Sequence, residues 1–167
     1  MFTDKLQQGF NEHINAELYS AYLYLAMASF FDRKSLAGFA NWLKIQAQEE
    51  LAHAVKAYDF VHERGGEVAF GAIAAPEGQW DSPLQVFEAA LAHEKEVSRR
   101  IEELVALAEV EKDRASRIFL DWFVTEQVEE EASFDALIQQ LRLIENAPQA
   151  LFMLDRELGQ RTFQRPA

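Results

Sequence analysis

Glutamates in the middle of four long apolar stripes are the residues of this chain whose types and spacing could do chemistry. They are Glu17, Glu50, Glu94 and the pair Glu126 and Glu130, each with apolar neighbours three or four positions away. That spacing is typical of the buried face of a helix. A carboxylate that faces a core is costly unless a positive group meets it. Four stripes that meet at one level therefore indicate a buried metal site.

A histidine follows one of these glutamates at a spacing that suits metal binding. Glu50 and His53 form the pattern Glu-x-x-His, which places a carboxylate and an imidazole on one helix face. Carboxylates with one imidazole and no sulfur suit iron or manganese, although Zn²⁺ would also bind. Because Glu50 could bridge two ions, these residues are compatible with a dinuclear centre at which dioxygen accepts electrons from both metals.

Further acidic residues lie beside these positions. On the fourth stripe Glu126 and Glu130 face inward and Glu129 borders them, whereas Glu49 directly precedes Glu50. A second acidic cluster of Glu49, Glu126 and Glu129 is therefore expected beside the first. It would provide a third metal position.

Other polar residues near the stripes have simpler interpretations. Tyr24 lies two turns from Glu17 on the same face, where most tyrosines are core residues with a satisfied hydroxyl. Beside a dinuclear centre, however, this tyrosine could donate an electron. His13, His62 and His93 have no matching ligand spacing, and we expect them at the surface or behind the ligands.

Long helices must position these residues, and the pattern predicts an all-α four-helix bundle in one domain of 167 residues. Five helices are predicted, over about 4–32, 35–64, 83–111, 113–144 and 148–158. Between Gly65-Gly66 and Ser82-Pro83 the periodicity stops, and a crossover over about 65–82 would let the third helix run parallel to the second. The carboxylates fall near the midpoints of the four long helices, which predicts a common height in the bundle.

Composition excludes several classes of protein. With 49% hydrophobic and 26% charged residues the chain is expected to be soluble and globular. A net charge of −12 argues against nucleic acid or an anionic membrane as a partner, and no apolar run is long enough to span a bilayer. The sequence shows no export signal and has no cysteine, which fits a cytoplasmic location.

The motifs resemble those of the non-haem bacterial ferritins, and the match extends across essentially the whole chain. It is carried by Glu17-Leu18-Tyr19-Ser20, Ala47-Gln48-Glu49-Glu50-x-x-His53, His93-Glu94, Trp122 and Glu126-Gln127-x-Glu129-Glu130-Glu131. The resemblance implies a ferritin-like bundle that assembles into a homo-oligomeric cage of 24 subunits. Such a cage would oxidise Fe(II) with dioxygen or hydrogen peroxide and store iron as a ferric mineral.

The resemblance also implies roles for individual residues. One iron would be held by Glu17, Glu50 and His53, and the second by Glu50, Glu94 and Glu130. Gln127 would lie near the pair and Tyr24 would be the redox-active neighbour. A third iron would be held by Glu49, Glu126, Glu129 and Glu130. Haem is not expected, because Leu51 stands where the similar bacterioferritins have a haem-ligating methionine.

Three classes of function compete on these residues. The leading hypothesis is a ferroxidase whose product stays inside the cage. The alternative is a soluble di-iron or di-manganese oxidase or oxygenase of small oligomeric state that acts on an organic substrate. A storage subunit without catalysis is disfavoured, because uncompensated core glutamates would be a poor way to build a bundle. The size of the assembly separates the first two hypotheses.

Overall fold

Five helices make up the computed structural model, which describes residues 2–164. They are α1 (Asp4–Arg33), α2 (Ala37–Glu63), α3 (Pro83–Val110), α4 (Arg114–Leu143) and α5 (Pro148–Leu158). The hairpins α1–α2 and α3–α4 pack together as a four-helix bundle, and α5 packs against α2. The predicted all-α class is confirmed. Within the described part of the chain, no helix is long and apolar enough to cross a membrane.

Local residues determine where the helices begin and how the chain turns between them. The side chains of Thr3, Ser82 and Asp113 each accept a hydrogen bond from a first-turn backbone N–H, at the starts of α1, α3 and α4. Each short joint contains one residue in the left-handed region: Ser35, Lys112 and Asn146, with φ of 58°, 54° and 65°. These tight turns bring the ends of consecutive helices together.

The long connection between α2 and α3 runs along the outside of α1. Three polar side chains of α1 at four-residue spacing hold it. The Gln7 Oε1 accepts from the backbone N–H of Glu67 at 2.8 Å, and Asn11 donates to the Glu67 carbonyl at 3.2 Å. Farther along, Asn15 donates to the Ala72 carbonyl at 3.3 Å. The connection therefore follows α1 towards its C-terminus, which returns the chain to the end of the bundle where α2 began.

Two apolar clusters fill the bundle on either side of a polar layer. The first includes Phe31, Phe39, Phe87 and Phe134, and the second includes Phe10, Phe60, Ile101 and Phe123. All eight are nearly inaccessible to solvent except Phe60, which is 7% exposed. Burial of each such side chain contributes about 1.5–3 kcal/mol. On every long helix the polar residues lie between the stretches that contribute to the two clusters, so the clusters hold the polar layer in place.

The short helix α5 packs so closely against the start of α2 that the two backbones are in contact. A Cβ atom on Gly38 would lie 1.5 Å from the Asp155 carbonyl oxygen, so only glycine fits there. The Asp155 carboxylate accepts a hydrogen bond from the Phe39 N–H at 3.0 Å. Because the N-cap residue Leu36 makes no side-chain cap, Asp155 caps α2 from a distant part of the chain.

We expect Gly38→Ala to destabilise the protein by at least about 1–3 kcal/mol, because the new methyl group would force α5 away from α2. Thermal unfolding should show a transition several degrees below that of the wild type. Limited proteolysis should cut the chain near α5 sooner. Gly78→Ala is the matched control, since a Cβ there meets nothing within 4 Å. Equal unfolding temperatures for the wild type and Gly38→Ala would contradict the close approach of α5.

Candidate metal centre

The four long helices each contribute a buried carboxylate to the polar layer. Glu17 comes from α1, Glu50 with His53 from α2, Glu94 from α3 and Glu130 from α4. None of the five side chains is more than 6% exposed. The structure therefore places, in one layer of the bundle, the residues that the sequence pattern predicted to face inward. Among the described residues, the groups with metal-binding spacing include four of these five side chains but not Glu94.

One side of the centre is formed by α1 and α2. A ligand atom from each of Glu17, Glu50 and His53 lies within 4.8 Å of the other two, close enough for all three to hold one cation. The Nδ1 of His53 lies 3.6 Å from a Glu17 oxygen and 3.5 Å from a Glu50 oxygen. The pattern Glu-x-x-His thus presents its carboxylate and imidazole to the same point.

Neutral donors hold the carboxylates of the other side. The Tyr24 hydroxyl donates to Glu94 Oε1, and the Gln127 amide donates to Glu94 Oε2 at 2.9 Å. The Gln46 amide donates to Glu130 Oε2 at 2.5 Å and to Glu50 Oε1 at 3.1 Å. These contacts orient the carboxylates without neutralising their charge.

Burial, and then the crowding of acidic groups, raises the pKa of three carboxyls of the centre. Burial raises the pKa of the Glu50 carboxyl to about 7, although the neighbouring His53 opposes this shift. Burial and the charge of Glu50 raise the pKa of Glu94 to about 8. Burial, with the charges of Glu50 and Glu94, raises the pKa of Glu130 well above its usual range. Burial opposes a charge on His53, but the carboxylates around it outweigh burial and raise the pKa of its imidazole.

Several buried polar atoms of the centre have no hydrogen-bond partner in the protein. They are both carboxylate oxygens of Glu17, Nε2 of His53 and Nε2 of His13. An unsatisfied buried polar atom costs about 1–3 kcal/mol, and more when it is charged. Cations bound among these oxygen and nitrogen atoms would satisfy them and offset the repulsion between the carboxylates. The residues present therefore fit divalent metal ions.

A second group of possible ligands lies on the side of α4. Ligand atoms of His53, Glu126 and Glu130 lie within 4.8 Å of one another, and Glu126 is half-buried. Glu129 is exposed, and Glu49 pairs with Arg161 at 2.5 Å. Among the described residues, the groups with metal-binding spacing include Glu126 but neither Glu49 nor Glu129. A third metal position with all of the predicted ligands would require Glu49 and Glu129 to turn towards Glu126.

Histidines and aromatic residues surround the centre. His13 is buried, and its Nε2 lies 3.3 Å from a Glu17 oxygen. Of the two positions expected for it, at the surface or behind the ligands, the structure shows the second. Burial and the nearby charge of His53 lower the pKa of His13 to about 3, and it is neutral. The Trp122 ring meets the His53 ring edge-on, with the centroids 5.3 Å apart.

Two residues that support the centre were not found from the sequence. Gln46 occupies the same stripe as Glu50, one turn earlier, and its position on a buried face was the signal that it contacts the ligands. Arg161 follows α5 and contacts Gln46 and Glu49. Its sequence neighbourhood carries no periodic pattern, and only the docking of α5 reveals the contact.

A four-helix bundle with inward carboxylates and a Glu-x-x-His pair is typical of metalloproteins that bind metal ions through carboxylates in a helical core. Residues 7–144 match the family model for the ferritin-like domain. The chain belongs to the ferritin family.

Relatives and solved structures agree with this assignment over nearly the whole chain. The chain is 42% identical over 161 residues to a bacterial non-heme ferritin of Bacteroides fragilis, covering 96% of this chain and all of that protein. It is 40% identical over 163 residues to one of Staphylococcus aureus, with 98% of each chain covered. An open-pore ferritin from the hyperthermophilic archaeon Archaeoglobus fulgidus superimposes with a TM-score of 0.96 at 52% identity, covering 97% of this chain and all of that one. An engineered closed form of the A. fulgidus ferritin gives a TM-score of 0.97 at 52% identity, covering 98% and 100%.

Crowding of carboxylates predicts that removing one charge stabilises the metal-free protein. We expect Glu130→Gln to raise its free energy of unfolding by about 1–4 kcal/mol at pH 8. Above the ordinary pKa of 4.5, Glu130 is protonated in the folded wild type but ionised in the unfolded chain. The wild type therefore loses stability as the pH rises. The stability gained by Glu130→Gln should accordingly grow from pH 5 to pH 8. Thermal unfolding in chelator measures the difference. Glu102→Gln, on an exposed face of α3, is the control, and a Glu130→Gln variant no more stable than the wild type would contradict the crowding.

Proposed function

We propose that the chain is an iron-storage protein with ferroxidase activity. In this proposal it binds Fe(II) at a buried di-iron centre, oxidises it and stores the product as a ferric mineral. The observation that carries the proposal is the set of four buried carboxylates and one imidazole, contributed by four helices of a ferritin-family chain. Oxygen-rich ligand sets with one imidazole suit iron. The names of the relatives, bacterial non-heme ferritins, favour the same function.

Each residue of the centre has a proposed task in this reaction. Glu17, Glu50 and His53 hold one Fe(II), and Glu50 is shared with a second Fe(II) held by Glu94 and Glu130. Each iron gives up one electron, so a pair supplies the two electrons that, with two protons, convert dioxygen to hydrogen peroxide. When hydrogen peroxide is the oxidant, the same two electrons and two protons yield two waters. The carboxylates stabilise the higher charge of the Fe(III) product.

Two neutral side chains assist the carboxylates. Gln127 orients Glu94 through its amide, and the Tyr24 hydroxyl donates to the same carboxylate. Burial and the charges of Glu94 and Glu50 raise the pKa of Tyr24, so this hydroxyl keeps its proton. We infer that Tyr24 is the redox-active neighbour. It could supply one electron and its hydroxyl proton to the oxidant in place of one Fe(II), and a further Fe(II) with a proton would then restore the tyrosine. Haem has no part in the proposed reaction.

The proposed assembly is a homo-oligomeric cage of 24 subunits, in which the mineral would be enclosed. The alternative function is a di-iron or di-manganese oxidase or oxygenase of small oligomeric state. Similarity to ferritins over nearly the full chain favours the cage. A cytoplasmic location stays a prediction from the sequence.

The test of this function combines particle size with iron oxidation. Light scattering during size exclusion should give about 460 kDa, the mass expected for 24 chains of 19.1 kDa. Fe(II) added in air should produce a ferric absorbance that co-elutes with the particle, with hundreds of iron ions retained. A small oligomer that holds about two metals per chain and forms no mineral would favour the oxidase or oxygenase instead.

Variants of the centre connect that activity to its residues. Glu50→Ala and His53→Ala should each slow the initial oxidation by at least about 10-fold while the particle stays assembled, because each loses a ligand. His62→Ala, an exposed histidine on the same helix, should retain the wild-type rate. Wild-type rates in either ligand variant would overturn the assignment of the centre.

We further propose a third iron position formed by Glu49, Glu126, Glu129 and Glu130. Glu126 and Glu130 already lie near His53, and Glu49 would exchange its contact with Arg161 for iron. Glu129→Ala should therefore change the ratio of dioxygen consumed to iron oxidised more than it changes the first oxidation step. Stopped-flow absorbance with an oxygen electrode measures both quantities. An unchanged ratio would count against the third position.

A further inference from the structure

The chain segment after α5 places a positive side chain against the helix that carries Glu50 and His53. One guanidinium nitrogen of Arg161 donates to the Trp42 carbonyl at 3.2 Å and to Gln46 Oε1 at 3.1 Å. The other donates to Gln46 Oε1 at 3.1 Å and to Glu49 Oε2 at 2.5 Å. The guanidinium also lies over the Trp42 ring, 4.2 Å from its centroid. Arg161 thus contacts α2 through both terminal nitrogens and the face of its guanidinium group.

The backbone of this segment is held as firmly as its side chain. The Asn41 amide donates to the Arg161 carbonyl at 3.0 Å and to the Leu158 carbonyl at 3.4 Å. The contact of Gly38 with Asp155 fixes α5 just before it. The position of Arg161 is therefore set by the docking of α5.

Gln46 can adopt only one orientation between Arg161 and the metal centre. A guanidinium has donors and no acceptor, so the oxygen of the Gln46 amide must face Arg161. The amide nitrogen must then face the other way, where its two hydrogens meet Glu50 Oε1 and Glu130 Oε2. Gln46 has no exposed surface, so water does not compete for these bonds. Without Arg161, the amide could turn its oxygen towards the carboxylates.

We propose that Arg161 and Gln46 are positioning residues for the metal centre, joined in a relay that runs from the C-terminal segment through Gln46 to Glu50 and Glu130. The relay rests on the proposed function in one respect, because it assumes that Glu50 and Glu130 are metal ligands. Its role is geometric: Arg161 orients the amide, and the amide fixes the two carboxylates that α2 and α4 present to the metals. Partners that orient metal ligands commonly contribute 10- to 100-fold to metal affinity.

Anaerobic titration with Co²⁺, followed by its visible absorbance, tests the relay on the full-length assembled protein. Arg161→Gln and Gln46→Leu should each weaken Co²⁺ binding at the centre by about 10-fold or more and alter the Co²⁺ spectrum. Arg156→Gln, on the exposed face of α5, is the matched control and should bind Co²⁺ like the wild type. Circular dichroism and particle size verify that each variant is folded. Wild-type affinity and spectrum in a folded Arg161→Gln protein would overturn the relay.

A conservative variant separates geometry from charge. Arg161→Lys retains the positive charge beside Glu49 but replaces the planar fork with a single ammonium group. If Arg161 orients Gln46, the lysine variant should lose Co²⁺ affinity nearly as far as Arg161→Gln. Recovery of wild-type affinity would show that the charge alone matters and would overturn the positioning role.

The double variant shows whether the two residues act together. In one relay, Arg161→Gln combined with Gln46→Leu should bind Co²⁺ no more weakly than Gln46→Leu alone. Independent effects would instead multiply to about 100-fold, which would contradict the relay. These affinities are measured without iron oxidation. If the wild type binds Co²⁺ but does not oxidise Fe(II), the ferroxidase proposal is refuted. The Co²⁺ affinities of the variants still decide whether the relay exists.

Discussion

Repulsion among buried carboxylates is the constraint on which the rest of this structure depends. Glu17, Glu50, Glu94 and Glu130 lie in one layer with two buried imidazoles. Because burial keeps His13 neutral, His53 is the positive group beside these carboxylates. A bundle with such a layer is stable only if other regions contribute enough burial to offset it. The two apolar clusters on either side of the layer provide that burial. The carboxylates that would bind cations thus lower the stability of the metal-free protein, a common conflict at functional sites.

Neutral donors limit this repulsion without removing the charge that cations need. Tyr24 and Gln127 donate to Glu94, and Gln46 donates to Glu50 and Glu130. Lysine or arginine at these places would neutralise the carboxylates and compete with iron. Arg161, by contrast, directs its guanidinium to Glu49 and Gln46, which lie beside the four central carboxylates.

The sequence pattern predicted the fold class and the inward glutamates because both depend on helical periodicity. Glu17, Glu94 and the pair Glu50 and His53 interrupt apolar stripes near helix midpoints, and helices of similar length bring midpoints to one height. Such reasoning identifies which residues face the core, but it does not identify their partners.

Contacts outside the periodic pattern escaped prediction. The orientation of Gln46 and the salt bridge between Arg161 and Glu49 depend on how α5 and the side chains pack. For the third metal position, residue types suggested Glu49 and Glu129 as ligands. In the structure Glu49 pairs with Arg161 and Glu129 faces solvent. Helical periodicity does not show whether a glutamate will face a metal site, pair with an arginine or point into solvent.

Helix α5 packs against α2, which lies more than a hundred residues earlier in the chain, and this separation affects the order of folding. The hairpins α1–α2 and α3–α4 join neighbouring segments and close short loops, so they are expected to form early. The hydrogen bonds from Phe39 N–H to Asp155 and from Arg161 to Gln46 span 116 and 115 residues. Helix α5, with only 11 residues, is too short to persist alone. Arg161 would thus reach Gln46 in the last step of subunit folding. A nascent chain that met iron before that step would present its glutamates without a fixed amide between them, so tight binding would wait for a complete subunit.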